Sequence, residues 1–328
     1  AINGERLLLA ARVYLDNQYQ MALAGLTLNG QLDPEFGDKG ANAGFVMKPL
    51  GEGYRATPVA AIASQNDGFL ILADDKAQDD NFPTLTRYLI DGRQDQAFGT
   101  NGIVTLRFDD LELADEAYGL VELNNGQIIV AITRLSFEGD YTGLLVRLNA
   151  DGSLDERFHD NGLFRFTFED GRYVWFEGVM QQRNGDVVVW GATDGAGLLL
   201  RLNADDQLDP SFGDEGCVQL SAPKGDVREG IEFYHVIEGD QGTLLLAGAT
   251  ERLPYHTVLG RLTASGQPDP AFNDGECVVI DASDHGSRWI ECFLRPAGEI
   301  VTSGLTGIPY NDTHTEFLVG RFLSDGKL

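Results

Sequence analysis

Cysteine is scarce. Three thiols in 328 residues make no disulfide framework, and no C-x-x-C pair offers zinc or dithiol redox chemistry. Basic residues are scarce too: 24 Lys and Arg stand against 51 Asp and Glu, and a formal charge of −27 repels nucleic acid and any anionic membrane surface. Cationic ligands, divalent metals and neutral sugars stay open. No apolar run reaches the ~20 residues of a spanning helix, so membrane insertion is not expected. Helical periodicity is missing, as are G-x-S-x-G and the P-loop, and no Ser or Cys is recognisably paired with a base. The opening "AINGERLLLA" enters a strand directly instead of showing a charged start, apolar stretch and cleavage site. Either there is no export signal or it was removed earlier.

What the chain has is repetition. "LDPEFGDKG" at Leu32 returns as "LDERFHDNG" at Leu154 and "LDPSFGDEG" at Leu208, and in worn form as "QDQAFGTNG" at Gln94 and "PDPAFNDGE" at Pro268. Its Asp residues (Asp33, Asp95, Asp155, Asp209, Asp269) are spaced by 62, 60, 54 and 60, each with a Phe three positions on. Eight residues before the Asp lies an Arg (Arg87, Arg147, Arg201, Arg261), with Arg321 in the same slot of a truncated last unit and Gly25 replacing it in the first. Five residues after that slot comes a turn glycine (Gly30, Gly92, Gly152, Gly266, Gly326), replaced once by Asp206.

Between these markers each unit reads as four short strands, a to d. The segment 117–168 shows all of them, with Asn125-Gly126 as a tight-hairpin signal between a and b and Asp151-Gly152 turning after c. Strand b is almost continuously apolar ("DVVVWGA", "TLLLAGA"), so both its faces must be covered. Four antiparallel strands per unit and a period near 60 predict an all-β β-propeller, residues 1–328 as one domain of six blades. The first blade is expected to lack strand a and the last to lack strand d, which leaves the closure of the ring open.

In the nonapeptide, Asp-Pro is expected to cap a helical turn, the Phe to turn inward between blades, and the Arg to pair with a carboxylate, the motif Asp among them. A competing reading is a divalent cation such as calcium in "NADGSLDERFHDNG". The glycine order there is not that of an EF-hand. The "LDPxFGxxG" block, the preceding "RLNADG" and the following "DEAYGLVELNNGQIIVA" resemble the delta-60 repeat, a bacterial repeat of β-propeller domains of unknown function. The resemblance implies the fold and an exported, periplasmic or cell-surface setting. It implies no catalytic residues, and beyond the divalent cation considered above no cofactor is expected.

Antiparallel order places the a–b turns and c–d plugs at one end of the blades, and the varied b–c and d–a loops at the other. The leading expectation is a non-enzymatic binding module that offers this acidic, variable end to a carbohydrate, peptide or protein, with Phe82, Tyr141, Tyr255 and Tyr310 as contact aromatics. The alternative is a hydrolase or lyase acting on a sugar or lactone. Glu116, Glu177, Glu232 and Glu291 fall near the starts of the a strands, where like charges raise carboxyl pKa values or recruit a cation. Glu177 or Glu291 would serve as acid or base with His235 assisting. Aligning the a strands on their turn glycines puts Ala61, Gly119, Gly178, His235 and Cys292 in one slot, with a one-residue shift allowed in the last unit. His235 is the odd member, and a lone His in a strand is most often a packing residue.

Overall fold

The computed structural model describes residues 1–4, 6–15, 18–37, 40, 43–49, 57–77, 80–107, 114–135, 140–223, 230–296, 298–307 and 315–328. Strands form where the aliphatic and branched runs lie, and turns where Asn, Asp and Gly interrupt them. The result is an all-β, six-bladed β-propeller, with five sheets of four antiparallel strands and a last sheet of three. The chain packs as two compact units, Ala1–Phe166 and Thr167–Leu328.

In the first unit, blade 1 holds β1 (Ile2–Asn3), β2 (Arg6–Leu15), β3 (Gln18–Thr27) and β4 (Phe45–Pro49). Blade 2 holds β5 (Thr57–Ser64), β6 (Gly68–Ala77), β7 (Asp80–Leu89) and β8 (Ile103–Thr105). Blade 3 holds β9 (Ala114–Glu122), β10 (Ile128–Leu135), β11 (Tyr141–Leu148) and β12 (Leu163–Phe166). In the second unit, blade 4 holds β13 (Val174–Gln181), β14 (Val187–Thr193), β15 (Ala196–Leu202) and β16 (Cys217–Leu220). Blade 5 holds β17 (Ile231–Glu238), β18 (Leu244–Thr250), β19 (Thr257–Leu262) and β20 (Val278–Ile280), and blade 6 holds β21 (Ser287–Leu294), β22 (Ile300–Thr306) and β23 (Phe317–Phe322). Each sheet is a meander in chain order. Blade 6 lacks strand d among the described residues, as expected. Blade 1 differs from expectation: β1 is a two-residue strand a, pairing Ile2 with Leu7 and Asn3 with Arg6.

The doubly apolar b strands are covered on both faces. Along β18, Leu244 and Leu246 pack with Val188, Trp190 and Phe212 of blade 4, while Leu245 and Ala247 pack with Trp289 and Phe322 of blade 6. Every residue of β14 and β18 is buried. Alternate side chains of one strand thus fill two separate inter-blade cores, which is why no polar face interrupts the run.

The nonapeptide is an inter-blade lock. Asp95, Asp155, Asp209 and Asp269 each accept from the Arg eight residues earlier, at 2.7, 3.0, 2.8 and 2.6 Å. Their other oxygens cap the following turn, as where the Ala97 and Ser211 amides donate to Asp95 and Asp209 at 3.0 and 2.9 Å. Each guanidinium lies over the motif Phe, 4.6 Å from the Phe98 centroid and 4.4 Å from that of Phe212. Arg87, Arg201 and Arg261 also donate to a carbonyl in the next blade's c–d turn, on Ala150, Ala264 and Ser324 in turn, all at 2.6 Å. The turn glycine meets the ring from that side. At Gly92, Gly152, Gly266 and Gly326, with φ between +78° and +87°, a Cβ would approach Phe36, Phe98, Phe212 and Phe272 to 2.8–2.9 Å. All five motif Phe rings are at most 1% exposed.

Blade 1 solves the loss of its Arg from another strand. Arg6, at the start of β2, donates to Asp33 and to the Ile90 carbonyl of blade 2, and its guanidinium lies 5.6 Å from the Phe36 centroid. The ring has moved into the vacated slot, since a Cβ on Gly25 would lie 2.3 Å from Phe36 Cγ. In blade 6 Arg321 pairs with Glu299 instead. Arg6 and Glu299 occupy the same register, two residues before the partner of the Arg slot.

Candidate functional site

The a strands deliver side chains to the variable end, and their register decides which. β5, β9, β13, β17 and β21 each carry a bulge at the same place, with Val59, Tyr118, Glu177, Tyr234 and Ile290 as the extra residue. The slot beyond it holds Ala60, Gly119, Gly178, His235 and Glu291, opposite Leu72, Ala131, Trp190, Ala247 and Ser303. This corrects the alignment that placed Ala61 and Cys292 there. The bulge recurs in blade 6, so no shift is needed, and the Ser64–Gly68 pairing moves the blade 2 turn by one residue. The four glutamates consequently stand at three levels: Glu116 and Glu232 two residues before the bulge residue, Glu177 on it, and Glu291 one beyond.

In the second unit, Glu177 and Glu232 come together with residues not anticipated from the sequence. The Trp175 indole donates to Glu177 at 2.6 Å, the Tyr234 hydroxyl to Glu232 at 2.6 Å, and the Tyr173 hydroxyl crosses from blade 4 to Glu251 of blade 5 at 3.1 Å. The groups share one field. Burial, then Glu232, lifts the Tyr234 phenol well above its ordinary range, with Glu177 adding to the rise and Arg288 opposing it. Burial followed by Glu251, Asp194 and Glu232 does the same to Tyr173. Burial also raises the Glu251 carboxyl, which Tyr173 lowers and Glu232 and Asp194 push up further. Gly230 leaves room for that carboxylate, since a Cβ there would lie 2.4 Å from Glu251 Oε2. Arg288, in the register of Glu116 and Glu232, supplies a cation and stands 5.3 Å from the Tyr255 centroid.

Glu291 belongs to a different group, with His235 and Cys292. The Cys292 amide donates to His235 Nδ1 at 3.1 Å, so Nε2 carries the proton of the neutral ring. Burial holds the imidazole below its ordinary pKa against Glu291, and burial pushes the Cys292 thiol up to about 12. Although Sγ lies 3.6 Å from Nδ1, a suppressed imidazole beside a suppressed thiolate is the reverse of an activated pair. Glu291 is exposed and accepts from Ser303 at 3.3 Å. Cys217, Cys277 and Cys292 are all free thiols.

The remaining candidates are separate. In the first unit Tyr118 donates to Glu116, Phe82 lies 4.6 Å under the Arg107 guanidinium, and half-buried Tyr141 opens β11 opposite Leu135. Tyr255 follows Leu253-Pro254 at the end of blade 5 that holds Glu251. Tyr310 lies outside the described residues. The carboxylates of the calcium reading are engaged: Asp155 by Arg147 and Arg157, and Asp151 by Ser153. Among the described residues no three His, Cys, Asp or Glu are placed to hold a metal ion.

Residues 123–158 and 182–212 match the family described as "Domain of unknown function (DUF5122) beta-propeller". The matched segments are delta-60 repeats. No curated protein matches this chain in sequence. Among solved structures it is similar to a protein of unknown function from Dyadobacter fermentans, at 11% identity and TM-score 0.52, over 84% of this chain and 80% of that one. It is also similar to a polysaccharide lyase, an ulvan lyase bound to a GlcA–Rha3S oligosaccharide, at 11% identity and TM-score 0.50, over 99% of this chain and 80% of that one. At these identities the likeness shows the fold alone.

Proposed function

We propose that this chain is a non-enzymatic propeller module of delta-60 repeats, and that the variable end of its second unit binds a carbohydrate. The observation that supports this reading is the set of three carboxylates, Glu177, Glu232 and Glu251, each paired with the polar edge of an aromatic side chain. Sugars present hydroxyl donors around a ring with C–H faces. Fixed carboxylate acceptors beside aromatic surface complement both. The acidic field selects for neutral or cationic sugars over uronates. If the site instead performed hydrolysis or elimination, its proton donor would be Glu251, whose carboxyl is held toward the protonated form, in place of Glu177, Glu291 or His235.

The test is a glycan array followed by calorimetry on the sugar retained, with Glu232→Gln and Tyr173→Phe. Loss of a hydrogen bond to a charged group predicts affinity lower by about tenfold for each variant, without loss of fold. Retention of no neutral or cationic glycan, or affinity in both variants equal to that of the parent, would overturn the reading.

A further inference from the structure

The turn end of the blades carries a second inter-blade device between blades 2 and 3 and between blades 4 and 5, and the junction of blades 5 and 6 is built differently. The last residue of strand a in blade 3, Glu122, accepts from the Gln65 amide of blade 2 at 2.9 Å. In blade 5 the equivalent Glu238 accepts from the Arg183 amide of blade 4, also at 2.9 Å. Side chains reinforce both links: Gln65 donates to the Leu123 carbonyl at 2.7 Å and Arg183 to that of Gly239 at 2.8 Å. Glu122, Gln181, Glu238 and Leu294 share one register, opposite Ile128, Val187, Leu244 and Ile300. At the junction of blades 5 and 6, Leu294 therefore stands where the carboxylate would be, and it has no oxygen for the Asp240 amide.

A cleft of about 700 Å³ opens at this junction, lined by both blades. Its blade 5 wall includes Gly239, Asp240 and Gln241, and its blade 6 wall includes Phe293 and Leu294, which are 49% and 39% exposed. Two largely exposed guanidinium side chains, Arg183 and Arg295, also line it, at 67% and 58%. The acids there are mostly engaged, Glu238 by Arg183 and Asp269 by Arg261, which leaves exposed Asp240 at the margin.

We propose that this cleft binds a small carboxylate ligand with an apolar body, its carboxylate accepting from the turn amide of blade 5 as Glu122 and Glu238 accept from those of blades 2 and 4. The apolar body lies on Phe293 and Leu294, and the guanidinium groups hold the charge. A single negative charge suits the site better than a polyanion, which the net charge of −27 would repel. The site is at the opposite end of the blades from the carbohydrate surface and does not depend on it.

Phenylacetate and its neutral counterpart phenylacetamide are the probes, titrated by ligand-observed NMR alongside thermal melting. Saturable phenylacetate binding with Kd on the order of 1 mM is expected, with at least fivefold weaker binding of the amide. Arg295→Gln should weaken phenylacetate at least fivefold. Leu294→Glu should rebuild the missing link, raise the melting temperature and abolish binding. Equal binding of the two probes, no binding of either, or undiminished binding in Leu294→Glu would overturn the proposal. If Leu294→Glu does not fold, the probe pair and Arg295→Gln decide it.

Discussion

The two ends of the blades use the same residue types for opposite purposes. At the turn end, every motif Asp is matched by a guanidinium, whether from strand c in blades 2 to 5 or from Arg6 of strand b in blade 1. At the loop end of the second unit, Glu177, Glu232, Glu251 and Asp194 gather with aromatic partners and, among the described residues, few cations, so carboxylates act on one another and on the phenols. Paired charge holds blades together, and crowded charge of one sign shifts the titration of its neighbours. With Gly25 in the Arg slot of blade 1, the reach of Arg6 shows that the lock is maintained as an interaction even when its residue moves.

The largest effect should come from the lock's buried wedge. Phe212→Ala is expected to cost about 3–5 kcal/mol, read as a lowered midpoint in urea unfolding. A surface-like response below 1 kcal/mol would erase the contrast between the ends. Arg6→Met comes next, at about 1.5–3 kcal/mol, because it removes the charged hydrogen bonds to the largely buried Asp33 carboxylate and the link to Ile90. No loss there would mean that blade 1 does without the lock.

The smallest effect is the most discriminating, since pH should act on the two ends with opposite sign. Burial raises the Asp209 carboxyl, but hydrogen bonds from Ser211 and Arg201 outweigh it and hold it below the ordinary value. Its contribution is complete above the unfolded carboxylate value, about pH 4, and is lost as pH falls through the depressed one. Asp209→Asn should therefore flatten the acid limb of the stability curve. Glu251 is raised by burial, so its contribution declines as pH rises from about 4 through the raised value. Glu251→Gln should gain melting temperature relative to the parent above that range and not below it. Parallel curves for both variants would remove the electrostatic distinction drawn here.

The propeller was legible because its evidence is periodic. Asp33 to Asp269, the Phe three residues on and the turn glycines recur in register, and the unbroken apolar b strands required cover on two faces. The Arg–Asp pairing was legible for the same reason. The site was only half legible. Glu177 and Glu232 meet, but Glu291 sits with His235, and Glu251 and Tyr173 were missed. One signal was present: the strings "EAY", "WFE" and "EFY" at 116–118, 175–177 and 232–234 place a glutamate two residues from an aromatic donor.

The residue order alone determined the strands, the number of blades and the lock, since each follows from local propensity repeated at a constant interval. Only the folded chain decided the bulge, the reach of Arg6, the Tyr173–Glu251 bond between blades and the cleft behind Leu294. Those depend on distances through space between segments far apart in sequence, where one extra residue in a strand changes which side chains meet.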